Sequence, residues 1–534
     1  MHFNVADLFE SLADAIPDRL AVVSGAHRLT FAELEARANG LAHAMRARGV
    51  KAGDHVGLYL FNGHEFLETM LAAFKIRAVP ININYRYVAE ELSFLCSNAD
   101  LVALFYQREL GAHVAAVASG VPTLKTIVYV NDDSGGPVEG SIEYESLRSS
   151  APTGRDFGER SGDDLYMIYT GGTTGMPRGV MWRQEDVFFA GLQGGNPGGE
   201  HLTRPEELAT NAIERTEPMI FLPAAPFIHG AAQWTALIGM FGGGKVVLQP
   251  GRSFDPKVVC KLIGDEKVTT ITLVGDAMAR PFVETLRQGG AAYDSSSLMV
   301  VVSAGAVLSD SVKAELVELL PNAMVLNSFG ASETGHQGTA FPSEGGKPGQ
   351  PTFFMDESNT VLGEDDKPIA PGSGVVGRLA RRGRLPLGYY KDPVKTAATF
   401  LTLDGQRWVV PGDLATIGED GSITVFGRGA VCINSGGEKV FPEEVEVALK
   451  AHLAILDAVV VGLPDERWGQ KVTAVLQLRP GTDLTLADVD AHCRARLAGY
   501  KVPRQIKIVD SILRHPSGKP DYRWARETAL EAAR

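Results

Sequence analysis

The chain has 534 residues, too many for a single small binding module and enough for two unequal domains or several compact units. Apolar residues make up 45% and charged residues 22%, which excludes bulk disorder. The formal net charge of −13 disfavours nucleic-acid binding, because an acidic surface repels phosphate backbones. Any polyanionic ligand therefore needs a local site lined by basic groups or backbone amides.

The first part of the chain alternates predicted helices with short apolar strands. Residues 31–48 and 66–76 have the apolar spacing of amphipathic helices. The predicted strands cover 54–60, 78–83, 268–273, 298–303 and 324–328. Such alternation predicts largely parallel sheets covered by helices, an α/β fold.

The pattern changes in the last third of the chain. The pattern of residues 374–426 indicates short strands separated by turns, and we therefore predict a small β subdomain there. Beyond Gly427 a new α+β unit begins, with helices at 442–451 and 486–497 and strands at 458–461 and 473–478. We therefore predict a large N-terminal domain over 1–428 and a smaller, mobile C-terminal domain over 429–534.

Two features bear on the cellular location. The four cysteines are isolated and form no CxxC pair, which predicts reduced thiols in a cytoplasmic protein. The stretch 219–244 contains no charged residue, but its prolines and glycines interrupt the uniform apolar run of a membrane helix. We expect it to line a core or a pocket and not to span a membrane.

Two short motifs imitate known sites. Asp133–Pro137 resembles the segment around a protease nucleophile, and Gly372–Gly377 satisfies G-x-G-x-x-G. The first lacks an evident catalytic base and acid, and the second does not follow a strand and open a helix. We interpret both as turns, the second leading into a strand.

The most informative segment is a loop rich in glycine and threonine that follows the apolar strand 165–169. Exposed backbone N–H groups, threonine hydroxyls and a guanidinium would together form a concave site for phosphate oxygens. The residues concerned are Thr170, Gly171, Gly172, Thr173, Thr174 and Arg178. This is not a Walker motif, because no Gly-Lys-Ser/Thr follows.

Further motifs follow this loop in a fixed order: Asn327–Thr334, Pro411–Asp413, Gly427–Arg428 and Pro516–Lys519. Together they resemble the signatures of the adenylate-forming (acyl-activating) superfamily over roughly residues 10–525. The segments 388–393 and 436–440 resemble the bacterial fatty-acyl-CoA synthetases and related acyl-CoA ligases. The stretch 229–234 resembles members of actinobacterial type.

The resemblance implies an AMP-forming acid–thiol ligase that uses ATP and CoA as co-substrates and Mg²⁺ as cofactor. A carboxylic acid would first become an acyl-adenylate with release of pyrophosphate. CoA thiolate would then displace AMP. Two alternatives stay open, namely an adenylation enzyme that loads a carrier protein or stops at acyl-AMP, and a non-enzymatic binding module. The chain ends soon after the Lys519 loop without a carrier-domain motif, which favours the CoA ligase.

The resemblance also assigns roles to single residues. Lys519 would bridge the carboxylate and the α-phosphate, Glu333 and Thr170 would contact the metal, and Arg178 stands where the family usually has lysine. The implied nucleotide site comprises the loop from Thr170 to Arg178 together with Gly305, Asn327, Ser328, Phe329, Gly330, Ser332, Asp413 and Arg428. Phe329 would stack on adenine and Asp413 would accept hydrogen bonds from the ribose. CoA would pass Gly437 and Lys439, and the hinge would lie at Ala430, where the family commonly has Asp or Lys.

The sequence allows two interpretations of the role of His229. It is either a satisfied core histidine or, by resemblance, the catalytic residue beside the reacting carboxylate. Its neighbours Gly230, Ala231, Ala232 and Trp234 are the predicted wall of the acyl pocket. Because the whole stretch 219–244 lacks an acid that could pair with an ammonium, we expect an apolar substrate, a medium or long fatty acid or a sterol-like acid. No nucleic-acid partner is expected, and a homodimer is left open.

Overall fold

The computed structural model describes residues 1–87, 89–172, 175–306, 308–340, 352–435, 438–465, 469–515 and 518–531. The helices of this part of the chain are α1 (Val5–Ala15), α2 (Phe31–Ala47), α3 (His64–Lys75), α4 (Ala89–Asn98), α5 (Gly111–Ala118), α6 (Tyr144–Ser149), α7 (Gln184–Ala190), α8 (Glu207–Glu214), α9 (Gly230–Phe241), α10 (Pro256–Glu266), α11 (Gly275–Gly289), α12 (Asp310–Leu319), α13 (Pro393–Thr399), α14 (Pro442–Lys450), α15 (Leu486–Arg494) and α16 (Tyr522–Glu531).

The strands of the described residues are β1 (Leu20–Ser24), β2 (His27–Thr30), β3 (His55–Tyr59), β4 (Val79–Asn82), β5 (Leu101–Gln107), β6 (Thr126–Val130), β7 (Ile142–Glu143), β8 (Leu165–Gly172), β9 (Gly175–Arg183), β10 (Phe221–Pro223), β11 (Val246–Leu248), β12 (Thr270–Leu273), β13 (Val300–Ala304), β14 (Met324–Ala331), β15 (Gly335–Ala340), β16 (Thr352–Met355), β17 (Asn359–Leu362), β18 (Gly377–Arg382), β19 (Gly388–Tyr389), β20 (Phe400–Leu403), β21 (Gln406–Val409), β22 (Asp413–Ile417), β23 (Ile423–Arg428), β24 (Ile433–Ser435), β25 (Glu438–Val440), β26 (Ile455–Asp465), β27 (Gly469–Leu478) and β28 (Gln505–Val509).

Several helices begin where the local sequence supplies a cap. Thr30 accepts the backbone N–H of Glu33, whose carboxylate accepts the backbone N–H of Thr30, so α2 begins with a capping box. Asp255 caps α10, with a proline in its first turn. These side chains satisfy backbone donors that the first turn of a helix leaves without partners.

Two large sheets form the N-terminal part. In the first, the neighbours β1, β11, β10, β12, β13 and β14 are parallel, and antiparallel strands from β15 to β23 extend it into the β subdomain. In the second, the order is β19-β9-β8-β4-β3-β5-β6-β7. One hydrophobic core draws buried residues from both sheets and from the helices between them. The predicted helix-covered, largely parallel sheets and small β subdomain are thus confirmed.

The last part of the chain forms its own sheet, with the order β25-β24-β27-β26 and β28 parallel to β27. Its buried residues, from Ile433 to Val502, form a core of their own. A separate core is what an independently folding domain needs. The division at residues 428 and 429 remains a prediction.

Most predicted elements occur within a few residues of their expected positions. The segment predicted to bind phosphate differs, because β8 and β9 pair antiparallel where the sequence predicted a loop between two short strands. The stretch 219–244 folds as β10 followed by α9. In the described part of the chain no helix combines the length and apolar character needed to cross a membrane. No disulfide joins the four cysteines to one another, and burial raises the pKa of Cys96 and Cys260 to about 12.

Candidate active site

The parallel strands β12, β13 and β14 end side by side. Ser303 pairs with Asn327 and Ala304 with Ser328 across β13 and β14. Gly305 follows directly with a φ of +78°, a conformation that favours glycine. The carboxyl ends of parallel strands are where α/β sheets bind ligands, so the sheet brings the predicted residues Gly305, Asn327 and Ser328 to one edge.

Aromatic and hydroxyl groups hold the following turn in place. The ring of Phe329 lies 5.2 Å from that of Phe353, and the Ser328 hydroxyl shares a hydrogen bond of 3.1 Å with His336 Nδ1. The carbonyl of Ser332 accepts a hydrogen bond of 2.9 Å from the indole of Trp182. Gly330 permits close approach of the strand β15, since a Cβ there would collide with the backbone of Gly335. Four predicted nucleotide-site residues therefore lie at the end of β14 and in the turn that follows it.

The glycine- and threonine-rich segment is an antiparallel hairpin. Thr170 pairs with Arg178 and Gly172 with Gly175, and Gly171 lies in the backbone of β8. Thr173 and Thr174, also predicted to bind phosphate, lie outside the described residues.

Arg178 is held by an acid that follows a different strand. Its Nε lies 2.9 Å from Asp392 Oδ2, and both side chains are half-buried. Asp392 also caps α13 by accepting the backbone N–H of Lys395. This N–H and the guanidinium keep the pKa of Asp392 below its usual range, so the pair is ionised at neutral pH. The predicted phosphate-binding cation is therefore oriented before any ligand arrives.

Glu333 lies in a nearly enclosed position, with 8% of its surface exposed. Its Oε1 accepts a hydrogen bond of 2.9 Å from the Tyr389 hydroxyl. No group of three or more His, Cys, Asp or Glu in the described residues could hold a metal alone. Mg²⁺ commonly binds through one or two carboxylates and the phosphates of its substrate, so a single oriented carboxylate fits that ion.

Asp413 and Arg428 lie directly opposite each other where β22 pairs with β23. The pairing brings these predicted residues together at the end of the N-terminal part, although the Arg428 side chain is outside the described part. Two further predicted positions follow. Ala430 lies in the short 3-10 turn Gly429–Val431, and Lys439 pairs with Asn434 between β24 and β25. Their side chains, and the whole of Gly437, are outside the described residues.

His229 precedes α9 and is partly buried, with its Nε2 atom enclosed. Its Nε2 has no hydrogen-bond partner among the described residues, which is unlike a satisfied core histidine. Burial, with smaller contributions from Lys519, Arg86 and His515, lowers its pKa to about 3. The ring is therefore neutral at pH 7, and it lies within the electrostatic reach of Lys519 despite their distance in the sequence.

The helix α9 presents two faces. Ala232 has no exposed surface, Trp234 is buried, and a Cβ on Gly230 would lie 2.8 Å from Ile168. These three residues pack into the core. The half-buried stripe of the helix comprises Ala231, Thr235 and Ile238, spaced four and three residues apart. Among the predicted acyl-pocket residues of this helix, Ala231 is the one on that stripe.

The Lys519 loop is compact and tied to the C-terminal sheet. The backbone N–H of His515 donates to Lys519 O and that of Gly518 to His515 O, at 2.9 and 2.8 Å. Arg514 donates to Gly518 O at 2.9 Å and to both oxygens of Asp457 at 2.6 and 2.7 Å. These contacts fix the backbone of Lys519 and of Gly518 before it.

The loop also rests on the N-terminal part. Gly518 has a φ of +72°, and a Cβ there would lie 2.8 Å from the Val274 side chain, just after β12. The residue before the predicted catalytic lysine therefore lies against the segment that follows β12, and the charge of Lys519 acts on the ring of His229.

Sequence reasoning did not single out several residues that organise this site. Tyr389 and Asp392 belong to the recognised segment 388–393, so that motif was the available signal. Thr235 follows from helical spacing once α9 is known. Nothing in the sequence marks Arg514, which resembles any surface arginine until its contacts are seen.

Comparisons with known proteins agree with this geometry. The family model described as "AMP-binding enzyme" matches residues 9–390, and that of the "AMP-binding enzyme C-terminal domain" matches residues 444–519. The chain is 48% identical to a 3-oxocholest-4-en-26-oate–CoA ligase of Rhodococcus rhodochrous, covering 100% of this chain and 97% of the relative. It is 47% identical to a medium/long-chain-fatty-acid–CoA/3-oxocholest-4-en-26-oate–CoA ligase of Mycolicibacterium smegmatis, covering 99% and 97%.

A solved structure supports the same fold. The anthranilate CoA ligase AuaEII in complex with anthranoyl-AMP matches with a TM-score of 0.86 and 23% identity, covering 100% of this chain and 98% of that protein.

Proposed function

The chain belongs to the AMP-binding enzyme family, and from this premise we propose that it is an AMP-forming acyl-CoA ligase acting on an apolar carboxylic acid. The observation that supports the proposal is that the Lys519 loop packs against Val274, at the carboxyl end of β12, and that the charge of Lys519 acts on the neutral ring of His229. A neutral, partly buried imidazole and a lysine from a distant loop would together bind a carboxylate next to the predicted nucleotide site. The names of the relatives at 47–48% identity support the reaction class.

In the first half-reaction a carboxylate oxygen attacks the α-phosphorus of ATP, and the bond to pyrophosphate breaks. Negative charge accumulates on the α-phosphate oxygens as the new bond forms. We assign Lys519 to stabilise that charge, because its loop places it at this edge, and His229 to position the carboxylate. A neutral His229 can donate or accept a hydrogen bond without adding charge to the site.

The nucleotide site is assigned to the strand ends and the hairpin. Phe329 would stack on adenine beside Gly305, Asn327, Ser328, Gly330 and Ser332, while Asp413 and Arg428 would bind the ribose. The hairpin from Thr170 to Arg178 would surround the β- and γ-phosphates. Arg178 retains the positive charge of the usual lysine and adds a second donor group.

Mg²⁺ would be held by Glu333 and Thr170 together with phosphate oxygens. When bound, the ion offsets the negative charge of the triphosphate. The Tyr389 hydroxyl fixes the rotamer of the Glu333 carboxylate, so the protein orients this ligand in advance.

In the second half-reaction the CoA thiolate attacks the acyl carbonyl, and AMP leaves. We propose that the C-terminal domain, 429–534, turns about Ala430 for this step. Gly437 and Lys439 would then face the pantetheine arm and a phosphate of CoA. An alternative acceptor is the thiol of a carrier protein, and the names of the relatives favour CoA.

The substrate proposed is a medium or long fatty acid or a sterol-like acid. The stripe of Ala231, Thr235 and Ile238 on α9 carries no charge, and the stretch 219–244 has no acid to pair with an amino group. A buried ammonium without a partner is costly, so amino acids are disfavoured. The relatives whose printed names include sterol-derived and fatty acids support this choice. A cytoplasmic location is proposed because the four cysteines lie far apart in the sequence and form no CxxC pair.

A substrate series tests the proposal. AMP formation is measured with straight-chain acids from acetate to palmitate, an alicyclic sterol-like acid and phenylalanine, each with CoA or acyl carrier protein as acceptor. Burial of each CH₂ contributes about 0.8 kcal/mol, so kcat/KM should rise up to ~4-fold per methylene until the pocket is full. Acetate or phenylalanine as the best substrate would contradict the apolar assignment, and strict dependence on carrier protein would contradict the ligase.

A further inference from the structure

A buried ion pair joins the N-terminal and C-terminal parts. Lys450 Nζ, at the end of α14, lies 3.1 Å from Asp276 Oδ2 in the first turn of α11. The two side chains are 4% and 6% exposed. Solvent and salt screen such a pair far less than a surface pair, so its formation depends strongly on the relative position of α11 and α14.

The N-terminal side of this pair is arranged for a carboxylate. Asp276 Oδ1 accepts the backbone N–H of Ser309 at 2.7 Å, and Arg280 Nη2 lies 3.5 Å from Oδ2. Burial alone would raise the pKa of Asp276, but the Lys450 ammonium, the Ser309 N–H and Arg280 hold it below its usual range. The carboxylate is therefore ionised at neutral pH and is held in a fixed rotamer.

The same segment supports the Lys519 loop. Gly518 packs against Val274, two residues before Asp276. A Cβ built on Gly518 would also lie 3.4 Å from the Cβ of Ala277. Asp276 also contributes to the electrostatic environment of Arg514, which binds the carbonyl of Gly518. The pair thus lies where α11 receives both α14 and the loop.

We propose that Lys450 and Asp276 are positioning residues that hold the C-terminal domain in the orientation that seats Lys519 for adenylate formation. The inference rests on the proposed function and extends it to the control of domain orientation. The pair must separate when the domain turns for thioester formation. Release would leave Asp276 with Arg280, whose Nε is buried without a hydrogen-bond partner among the described residues and can turn towards the carboxylate.

A second ion pair between the two parts provides a matched control. Arg479 Nη1 lies 3.5 Å from Glu284 Oε1, but these side chains are 36% and 42% exposed. Exposed pairs contribute little, because solvent competes for both charges. The control therefore removes a cation from the same interface without removing a buried contact.

The test measures the two half-reactions separately. Adenylation is followed as pyrophosphate release from acid and ATP without CoA, and thioester formation starts from supplied acyl-adenylate and CoA. Lys450→Met should slow adenylation roughly tenfold or more and leave thioester formation within about twofold of wild type. Lys450→Arg should restore adenylation, and Arg479→Met should change neither rate by more than about twofold.

The thermal unfolding of each variant is measured to detect loss of stability. If Lys450→Met is unstable, the double variant Asp276→Asn/Lys450→Met replaces it, because it removes the pair without leaving a lone buried charge. The double variant should show the same selective loss of adenylation. Equal slowing of both half-reactions, or no change in their ratio, would overturn the positioning role. If wild-type protein itself forms no acyl-adenylate with any acid of the series, the proposed function fails and the positioning role fails with it.

Discussion

Burial sets the charges of single residues in the candidate site. The ring of His229 is neutral because burial disfavours its charged form, so in the proposed mechanism the positive charge near the carboxylate comes from Lys519. Arg178 is already paired with Asp392, and Glu333 with the Tyr389 hydroxyl. Because these side chains are held by defined contacts, single substitutions at them are informative.

Lys519→Ala tests the division of labour between the half-reactions. Loss of the ammonium should slow adenylation by roughly two or more orders of magnitude, because charge on the α-phosphate is no longer offset. Reaction of supplied acyl-adenylate with CoA should stay close to wild type. Lys261→Ala, which removes an exposed lysine on α10, is the control and should leave both rates unchanged. Equal losses in both half-reactions would indicate damage to folding.

Glu333→Gln tests the metal assignment. The amide keeps the size of the side chain and can still accept from Tyr389, but it lacks the charge that binds a hard cation. The Mg²⁺ concentration for half-maximal turnover should rise roughly tenfold or more, measured as AMP formation against total Mg²⁺. Tyr389→Phe should raise it less, since the carboxylate remains. A normal magnesium requirement in Glu333→Gln would exclude this residue as a ligand.

Individual elements owe their boundaries to local hydrogen bonds. Both parts of the molecule contain a helix with a complete capping box, Thr30 with Glu33 on α2 and Thr485 with Asp488 on α15. In each box the threonine hydroxyl and the acid satisfy two backbone N–H groups that would otherwise lack partners. These helices therefore report on the stability of the two parts separately.

Thr30→Ala and Thr485→Ala should each cost about 1 kcal/mol of unfolding free energy, because a backbone donor loses its partner. The unfolding midpoints are measured by chemical denaturation and by calorimetry, and limited proteolysis identifies which part unfolds. If the two parts unfold independently, Thr30→Ala shifts the transition of the N-terminal part and Thr485→Ala that of the C-terminal part. Serine at either position retains the hydroxyl and serves as the control. Unchanged midpoints in both alanine variants would show that the caps contribute nothing.

At the scale of the whole molecule, the junction between the two parts encloses acidic groups. Glu443, in the first turn of α14, faces Gly427, and a Cβ at Gly427 would collide with its carboxylate. Burial, and then the charges of Glu446 and Asp413, raise the pKa of Glu443 to about 8. Burial likewise raises the pKa of Glu446 to about 7. The junction therefore binds protons that the unfolded chain would release.

This arrangement predicts a pH dependence of stability with a definite sign. Glu443 has a pKa near 4.5 when unfolded and about 8 when folded, so the folded state holds more protons between these values. Its contribution to stability is complete below the lower pKa and is lost as pH rises through the upper one. Glu443→Gln cannot ionise, so its stability relative to wild type should rise between about pH 4.5 and about pH 8.5, by roughly 4–5 kcal/mol over that range. Denaturation midpoints of both proteins across this range measure the difference, and a constant difference would contradict the raised pKa.

The sequence by itself determined the reaction class, the α/β architecture and the approximate positions of most elements. Amphipathic periods and capping residues are local properties, so the boundaries of α2 and α3 could be read within a few residues. The ordered motifs from Thr170 to Lys519 are also linear signals, and the family comparison agrees with them.

Only the tertiary structure decided which residues meet. The sequence could not decide whether His229 is a satisfied core histidine or a catalytic residue, because both have the same local pattern. In the structure its Nε2 has no hydrogen-bond partner among the described residues and the charge of Lys519 acts on its ring, which favours the catalytic role. The core-facing side of α9 depends on which strands cover it. The pairs of Arg178 with Asp392 and of Asp276 with Lys450 join residues far apart in the chain. Electrostatic contacts of this kind depend on distance and desolvation in three dimensions, and neither is encoded by local spacing.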